Sequence, residues 1–324
     1  MAATPPPPPV TGVEIVKGEG LVAQQQFERG ALILTEDPLV MCDTGKGFST
    51  WDKEAGAFYQ EQHEYSKSIL WKAFNNLELF DQGVFNTLYT TKRKASKLEY
   101  VVDAFRHNGF QFGFRNVNNA HVILYRFICA AYHSCIPNAT VMINEFAPDE
   151  TLHPGQARLV ATREIPAGSP IVIDYIPKLW KEDSAARQQA LMARWGFDCN
   201  CEGCKPAKAV MDASERSICR TYHEKGLRLS AAELRLYIGF MSKLGKWDKD
   251  LSRLCLRLAH DHETRDEYRE AMHIAQSGLL VEQHFYLKCH YGELSRICAD
   301  CFLEDRNLQA EYRETERAAR IFLE

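Results

Sequence analysis

The sequence predicts an α+β fold in which one sheet is assembled from two separated stretches of strands and is followed by a helical domain. Strand-like apolar runs broken by glycine turns occupy residues 13–40, and similar runs return between Ala139 and Tyr175. Apolar residues with helical spacing fill the sequence between these stretches and again after Pro206. The 324 residues suffice for two domains, because single cores stop growing near ~250–300 residues.

The composition is that of a folded protein without a dominant charge. Hydrophobic residues make up 45% and charged residues 25%, which excludes wholesale disorder, a collagen-like repeat and a coiled-coil rod. A formal net charge of -4 and a pI near 6.3 give no global basic field, so we expect no specific nucleic-acid partner. No stretch approaches the ~18–20 apolar residues of a membrane span, and no leader is recognisable. We therefore expect an intracellular monomer without membrane contact, in the nucleus, the cytoplasm or both.

The chain begins with a proline run and a strand pair. In residues 1–11 each proline fixes φ and lacks an N–H donor, which predicts a floppy or polyproline-II tail, or a ligand of a proline-binding module. Residues 12–41 predict strand, turn and strand around Gly18 and Gly20. The remaining segments are a helical insertion at 42–125, strands at 126–180, a helix with a cysteine-rich turn at 181–205, and a helical domain at 206–324.

Apolar spacing supports these segments. The insertion carries Leu98, Val101, Val102 and Phe105 at helical positions i, i+3, i+4 and i+7. The runs RLVAT and IVIDY predict the returning strands, and SAARQQALMARWGF predicts a short helix. The last segment has the same helical spacing of apolar residues, at Leu251, Leu254, Cys255 and Leu258. Two strand groups therefore flank one helical segment and precede another.

The glycine turn formally matches the dinucleotide fingerprint G-x-G-x-x-G/A, with Gly18, Gly20 and Ala23 at its fixed positions. That fingerprint requires a crossover helix. The segment QQQFERG breaks at its glycine too early to supply one. The prediction of a nicotinamide-dependent oxidoreductase depends on this pattern alone. A plain turn, or glycines that let the backbone approach another adenine-bearing ligand, fits better.

The 11 cysteines predict a metal site rather than disulfides. Their number is odd, and the chain is too long to need disulfide staples, so a reducing compartment is expected. Cys199, Cys201 and Cys204 place three thiols on one tight turn, as tetrahedral zinc requires. A structural zinc site has four ligands, so a fourth must come from elsewhere in the chain. The alternative is a set of buried or reactive thiols without metal.

Residues 130–140, AAYHSCIPNAT, contain His133, Ser134, Cys135, Pro137 and Asn138, and closely resemble the N-H-S-C-x-P-N signature of SET-domain protein lysine methyltransferases. KGEGLVA resembles the first cofactor motif of that family, IVIDY the strand that ends in its active-site tyrosine, and GFDCNCEGC its zinc-binding post-SET tail. The helical insertion and the helical last domain are similar to the SET-and-MYND branch. Only Cys42 and Cys129 flank the insertion, too few for a MYND zinc finger, so the chain resembles a relative without that finger.

The resemblance implies a site for S-adenosylmethionine, with S-adenosylhomocysteine as product, and one structural zinc ion. It implies that the cofactor is bound by Lys17, Gly18, Glu19, Gly20, Asn108, Tyr132, His133, Tyr175 and Phe197. Tyr175 would be catalytic, Phe110 and Trp195 would complete the substrate lysine channel with it, and Cys135 would be the fourth zinc ligand. The implied function is methyl transfer to a lysine amine of a histone or other protein.

Two positions depart from the family pattern. Tyr132 replaces the asparagine that opens the signature, and its ring cannot reproduce the contacts of an amide. Trp195 stands at the position of a second active-site aromatic residue, where its larger ring would reshape the lysine channel. The alternative function is therefore a catalytically degenerate SET scaffold that acts as a protein-binding module.

Overall fold

The structure is a computed structural model that describes residues 12–43, 50–52, 57–59, 63–90, 96–113, 120–144, 155–284, 290–305 and 309–310. The proline-rich segment 1–11 lies outside the described residues. The chain divides into two compact units, Met1–Ala213 and Ser214–Glu324. Within the described residues, no helix is long and apolar enough to cross a membrane.

Strands are confined to the first unit in the part of the chain that the structure describes. They are β1 Val13–Val16, β2 Gly20–Ala23, β3 Leu32–Glu36, β4 Val40–Asp43, β5 Thr50–Asp52, β6 Ala57–Tyr59, β7 Phe110–Gly113, β8 Ala120–Leu124, β9 Tyr132–His133, β10 Ala139–Ile143, β11 Ala157–Ala161 and β12 Val172–Ile173. The helices are α1 His63–Asn75, α2 Leu79–Phe85, α3 Lys97–Asn108, α4 Ser184–Trp195, α5 Pro206–Lys225, α6 Ala231–Lys243, α7 Lys249–Glu263, α8 Tyr268–His284 and α9 Tyr291–Glu304. The predicted α+β class is confirmed.

The two stretches of predicted strands meet in one sheet. Its order is β10-β11-β3, and β3 pairs antiparallel with β11, with Leu34 opposite Leu159. All five residues of β11 are buried, as expected for a central strand covered on both faces. A core around Leu21, Ile123 and Ile171 packs against this sheet. Residues distant in sequence therefore form one hydrophobic centre.

The insertion contains strands as well as helices. β8 lies between β4 and β7 in a second antiparallel sheet, and the sequence analysis did not predict β7 or β8. The run VIL at 122–124 is apolar at successive positions, and such a short run is not distinguishable from a buried helical segment by periodicity. The helices cover this sheet through a core that includes Phe74, Phe85 and Phe105.

Helix α3 begins and ends with clear local signals. Ser96 caps its amino terminus and forms a capping box with Glu99, in which each side chain accepts from the backbone N–H of the other residue. Burial of Val101, Ala104 and Phe105 fixes one face of the helix against the insertion core. The last turn, at His107 and Asn108, is thereby held in place.

Helix α4 confirms the prediction made from SAARQQALMARWGF. Asp183 caps its amino terminus by accepting from the N–H of Ala186, and Gly196 ends it with φ of 73°. In the second unit, α7 has the predicted apolar face, with Leu251, Cys255 and Leu258 all buried. Helices α7, α8 and α9 pack around Ala259, Ala275 and Ile297 among others.

Candidate functional site

Three chain segments meet beside the β1-β2 turn. β9 pairs in parallel with β12, so Tyr132 lies opposite Val172. The Asn138 side chain accepts from the backbone N–H of Val172 at 2.8 Å and donates to the carbonyl of Pro170 at 2.9 Å. The N–H of Ile171 donates to the carbonyl of Leu21 at 2.7 Å, which attaches β2 to the same crossing. The segments around β2, β9 and β12 therefore form one interlocked unit.

A cavity of about 1090 Å³ opens at this crossing. Its lining residues are Gly18, Glu19, Tyr89, His107, Asn108, Cys129, Tyr132, His133, Ser134, Ile136, Asn138, Arg163, Pro170, Val172, Tyr175, Trp195, Phe197, Asp198, Cys199, Asn200, Cys201 and Glu202. Aromatic and aliphatic side chains accompany a few charged ones, as in sites for small organic ligands. The volume is at the upper end of such sites, which allows a ligand larger than one nucleoside.

Tyr175 follows β12 and lies in the wall of this cavity. Its hydroxyl donates to the carbonyl of Ala131 at 2.7 Å, which fixes the hydroxyl proton and leaves oxygen lone pairs as acceptors. Its ring lies 5.2 Å from the ring of Trp195, measured between centroids. Burial raises the pKa of Tyr175, so the residue is a neutral phenol at neutral pH.

His133 connects Tyr175 to a cysteine. The backbone N–H of Tyr175 donates to Nδ1 of His133 at 3.1 Å, so Nδ1 is unprotonated and Nε2 carries the hydrogen in the neutral ring. Nε2 lies 3.2 Å from Sγ of Cys135, where its N–H donates to sulfur. The side chain is fully buried, and burial lowers the pKa of His133. Both ring nitrogens are therefore engaged.

Aromatic residues from the end of α4 close one side of the cavity. The indole N–H of Trp195 donates to the carbonyl of His107 at 2.7 Å, and the hydroxyl of Tyr89 donates to the carbonyl of Trp195 at 3.3 Å. Phe197 lies 6.2 Å from the ring of His133, between centroids. These contacts join the ends of α3 and α4 into a continuous aromatic wall.

The sulfurs of Cys135, Cys199, Cys201 and Cys204 all lie within 4.8 Å of one another. Sγ of Cys135 is 4.0 Å from that of Cys199 and 3.6 Å from that of Cys204. Four sulfurs around a tetrahedral zinc ion, with Zn–S bonds of ~2.3 Å, would stand about 3.8 Å apart. The spacing and the all-sulfur donor set therefore fit zinc.

Neighbouring residues hold this cluster in place. Gln188 on α4 accepts from the N–H of Cys199 at 2.7 Å and donates to the carbonyl of Cys199 at 2.6 Å. A Cβ on Gly203 would lie 2.8 Å from side-chain atoms of both Asp212 and Ile136, so a larger residue would require these side chains to shift. The cysteine turn is thus fitted closely to its surroundings.

Arg187 supplies a buried positive charge beside the sulfurs. Its Nη2 donates to Sγ of Cys204 at 3.6 Å and to the carboxylate of Asp212 at 2.8 Å. The hydrogen bond with Cys135 contributes most to lowering the pKa of Cys204 to about 6. Four thiolates and one Zn²⁺ carry two net negative charges, which a nearby guanidinium offsets. The surroundings therefore suit a metal-thiolate centre.

The β1-β2 turn contains two glycines with different surroundings. Gly18 has φ of 89°, and a Cβ there would meet no atom within 4 Å, so its backbone faces open space in the cavity wall. Gly20 has φ of 78°, and a Cβ there would lie 2.5 Å from the carbonyl of Ala130 and 3.0 Å from the ring of Tyr132. Gly18 can therefore approach a ligand, whereas Gly20 permits close packing of the crossing.

The family model of the SET domain matches residues 18–176. The chain contains a SET domain. The matched segment begins at Gly18 in the β1-β2 turn and ends one residue after Tyr175. It includes β9, β12 and Cys135, whereas Cys199, Cys201 and Cys204 lie beyond it. The cavity therefore combines SET-domain residues with residues of the following helix and cysteine turn.

One solved structure similar to the chain is described as the SET domain of LSMT bound to lysine and AdoHcy. The identity is 12%, the TM-score is 0.32, and the match covers 91% of this chain and 87% of that chain. None of the curated proteins compared with the chain matches it.

The SET-domain cavity brings together most of the residues expected there. Those that line it are Gly18, Glu19, Asn108, Tyr132, His133, Tyr175, Trp195 and Phe197. Of the described residues in its lining, none is Lys17, Gly20 or Phe110. Phe110 instead packs against Tyr125, with 5.6 Å between ring centroids, because β7 turns it into the SET-domain core. The role of Phe110 in the lysine channel stays a prediction.

Two cavity residues of the insertion were not predicted. Tyr89 and His107 contact each other edge to face, with 5.4 Å between their ring centroids. His107 follows Asp103 by four residues on α3, a spacing that places an acid and a histidine on the same helix face. That pair is the sequence signal from which His107 was identifiable.

Proposed function

We propose that the chain is an S-adenosylmethionine-dependent protein lysine methyltransferase with one structural zinc ion. The observation that carries the proposal is the position of Tyr175 at the end of the SET domain. Its hydroxyl proton is directed to Ala131, and the residue lines a cavity with several aromatic residues in its wall. A SET domain alone is compatible with a scaffold, but this placement serves transfer chemistry.

The cavity fits S-adenosylmethionine in size and chemistry. Gly18 leaves the β1-β2 turn open for backbone contacts, and Phe197 offers an aromatic face for adenine. When bound, S-adenosylmethionine supplies a methyl group on a positively charged sulfur. The acidic side chains of Glu19 and Asp198 in the lining favour a cationic ligand.

The residues of the chain would position the lysine and exclude water. We infer that the lysine enters beside the rings of Tyr175 and Trp195, where desolvation would lower its pKa and favour its neutral amine. The oxygen of Tyr175 accepts weak contacts from polarised C–H groups or from the amine. Alignment of donor and acceptor supplies much of the rate, because it replaces a bimolecular encounter.

The cysteine cluster would have a structural role. Cys135 belongs to the SET-domain crossing, whereas Cys199, Cys201 and Cys204 lie after α4. Zinc would hold these two regions together and so keep Phe197 against the cavity. A closed set of four sulfur ligands leaves no position for a reacting water, which separates this role from catalytic zinc.

The substrate is proposed to be a lysine of a histone or other protein. We further infer that the protein acts as a monomer inside the cell, in the nucleus, the cytoplasm or both. The acidic pI of 6.3 supports a protein rather than a nucleic-acid partner. The six predicted segments remain the proposed domain organisation.

Calorimetry with S-adenosylhomocysteine, followed by a methyl-transfer screen on histone and other protein panels, tests this function. Binding with transfer of labelled methyl to lysine is the expected result. Failure to bind S-adenosylhomocysteine would contradict the proposal. A titration with nicotinamide cofactors is expected to give no fluorescence change, since the glycine turn lacks a crossover helix.

A degenerate scaffold that binds protein partners is the second candidate. Tyr132 favours it, because the residue is 47% exposed and lines the cavity where the family signature has asparagine. Binding of S-adenosylhomocysteine without turnover on every panel would support the scaffold. The Tyr132→Asn variant then shows whether this ring prevents turnover.

A further inference from the structure

His107 is a buried histidine with one free nitrogen. It lies in the last turn of α3, lines the cavity, and has a side chain only 5% exposed. Nδ1 lies 2.8 Å from the backbone carbonyl of Asp103, which can only accept, so Nδ1 carries the ring hydrogen. Among the residues that the structure describes, none forms a hydrogen bond with Nε2. Nε2 is therefore a lone-pair acceptor with no partner in the described part of the chain.

The surroundings keep this imidazole neutral. Burial lowers the pKa of His107, while the carbonyl and carboxylate of Asp103 act in the opposite direction. The guanidinium groups of Arg106 and Arg194 lower the pKa further. The pKa of His107 is therefore below its ordinary value, so the Nε2 lone pair is available at neutral pH.

His107 is connected to the candidate transfer site through Trp195. Its carbonyl accepts from the indole of Trp195 at 2.7 Å, and the Trp195 ring is 5.2 Å from that of Tyr175. Its own ring contacts Tyr89, another lining residue. One indole thus links His107 to Tyr175 along the same aromatic wall.

His133, the other histidine of the described lining, and Tyr175 are unsuited to accept a proton. Tyr175 is a neutral phenol that already donates to Ala131. His133 has Nδ1 occupied by a backbone N–H and Nε2 directed at Cys135. These hydrogen bonds leave neither imidazole nitrogen of His133 open.

The acidic residues of the lining are also poor candidates. Glu19 and Asp198 are exposed to solvent, where water competes with the lysine for their oxygens. Glu202 is paired with Lys205 and with Lys208, the latter at 2.8 Å. The bond with Lys205 contributes most to lowering the pKa of Glu202 to about 2. Within the described lining, His107 combines burial, neutrality and an open lone pair.

We propose that Nε2 of His107 accepts the proton that the substrate lysine loses before methyl transfer. This proposal depends on the proposed function. One N–H bond of the lysine ammonium breaks and an N–H bond forms at Nε2, which leaves a neutral amine and an imidazolium. The amine lone pair then forms the bond to the methyl carbon as the carbon–sulfur bond breaks, and its electron pair stays on sulfur. Imidazolium later releases the proton to water.

The His107→Asn variant tests the catalytic role. Asparagine can still donate to the Asp103 carbonyl but places no acceptor at the Nε2 position. We expect unchanged affinity for S-adenosylhomocysteine by calorimetry and a fall in turnover of about 100-fold, the usual scale of general-base catalysis. Added imidazole should restore part of the turnover. Unchanged turnover, or equal loss of cofactor affinity and turnover, would overturn the proposal.

His260→Asn is the matched control. His260 has a side chain 63% exposed on α7 of the second unit and should tolerate the same substitution. If the wild-type protein binds S-adenosylhomocysteine but has no turnover on any panel, the proposed function fails independently of this variant.

A chemical experiment tests the open nitrogen without turnover. Diethylpyrocarbonate reacts with unprotonated, accessible imidazole nitrogen, and peptide mass mapping separates the histidines. We expect modification of His107 at pH 7 and its loss when S-adenosylhomocysteine fills the cavity. An unmodified His107 beside a modified His260 would show that Nε2 does not face the cavity.

Discussion

His133 donates from Nε2 to Sγ of Cys135 at 3.2 Å, while its Nδ1 accepts from the backbone of Tyr175 at 3.1 Å. A single buried ring therefore joins a candidate zinc ligand to the candidate catalytic residue. Since a thiolate accepts more strongly than a thiol, metal binding strengthens the first of these bonds. The cysteine centre and the cavity are thus expected to behave as one unit.

Removal of the metal should therefore weaken ligand binding. After treatment with a strong chelator, we expect a lower Tm and a fall of about tenfold in affinity for S-adenosylhomocysteine, the scale of lost metal support. Calorimetry before and after restoring zinc measures both effects. Unchanged affinity for S-adenosylhomocysteine in the metal-free protein would show that the cysteine centre does not support the cavity.

The Cys201→Ser variant should lower zinc content and thermal stability together, because serine is a poor ligand for zinc in an all-sulfur site. Elemental analysis and thermal unfolding are the measurements. Cys298→Ser is the matched control, as Cys298 is half-buried on α9 and outside the cluster. A full zinc equivalent retained by Cys201→Ser would mean that the ligand set is wrong.

The Tyr175→Phe variant should bind S-adenosylhomocysteine nearly as well as the wild type and turn over about 100-fold more slowly, since it loses one positioned oxygen. Calorimetry and a methyl-transfer assay give the two quantities. The ring contacts with Trp195 and His133 are kept, so the fold should be retained. Equal loss of affinity and turnover would make Tyr175 a binding residue.

The Arg187→Met variant should lose about 3–5 kcal/mol in free energy of unfolding, because it removes the buried guanidinium that pairs with the carboxylate of Asp212. Urea unfolding measures the loss. Arg253→Met is the control, since its pair with Asp250 is exposed and worth about 1 kcal/mol at most. Similar losses in free energy of unfolding for the two variants would show that burial does not strengthen the contribution of the Arg187–Asp212 pair.

The two glycines of the β1-β2 turn should respond differently to alanine. Both have positive φ and share the cost of a left-handed backbone. Gly20→Ala adds a clash with Ala130 and should cost about 1–3 kcal/mol more in stability than Gly18→Ala. Gly18→Ala places a methyl group in open cavity space and should instead reduce affinity for S-adenosylhomocysteine. Urea unfolding and calorimetry distinguish these outcomes.

The sequence anticipated the parts of the site that depend on short motifs. The crossing around His133, the strand before Tyr175 and the cysteine turn each have several chemically informative residues close together. The resemblance to SET enzymes predicted that Cys135 lies beside the cysteine turn, and the distances between the four sulfurs agree with that prediction. Such motifs are readable from sequence because residues a few positions apart stay close together in the folded chain.

Features that depend on the path of the insertion were less accessible. The contact of Phe110 with Tyr125, for example, follows from the pairing of β7 with β8, which the sequence analysis did not predict. His107 went unnoticed because its significance comes from a helix end meeting Trp195, a residue 88 positions away. Periodicity does not reveal which distant residues will share a wall.

The cavity draws on residues from Gly18 to Glu202, and this has a consequence for biosynthesis. At ~5–20 residues per second, the hairpin of β1 and β2 waits on the order of ten seconds before its last partners leave the ribosome. During that interval Leu21, Val22 and Ala23, all buried in the finished protein, have no completed core to enter. The nascent chain should therefore require chaperone protection until the cysteine turn has emerged.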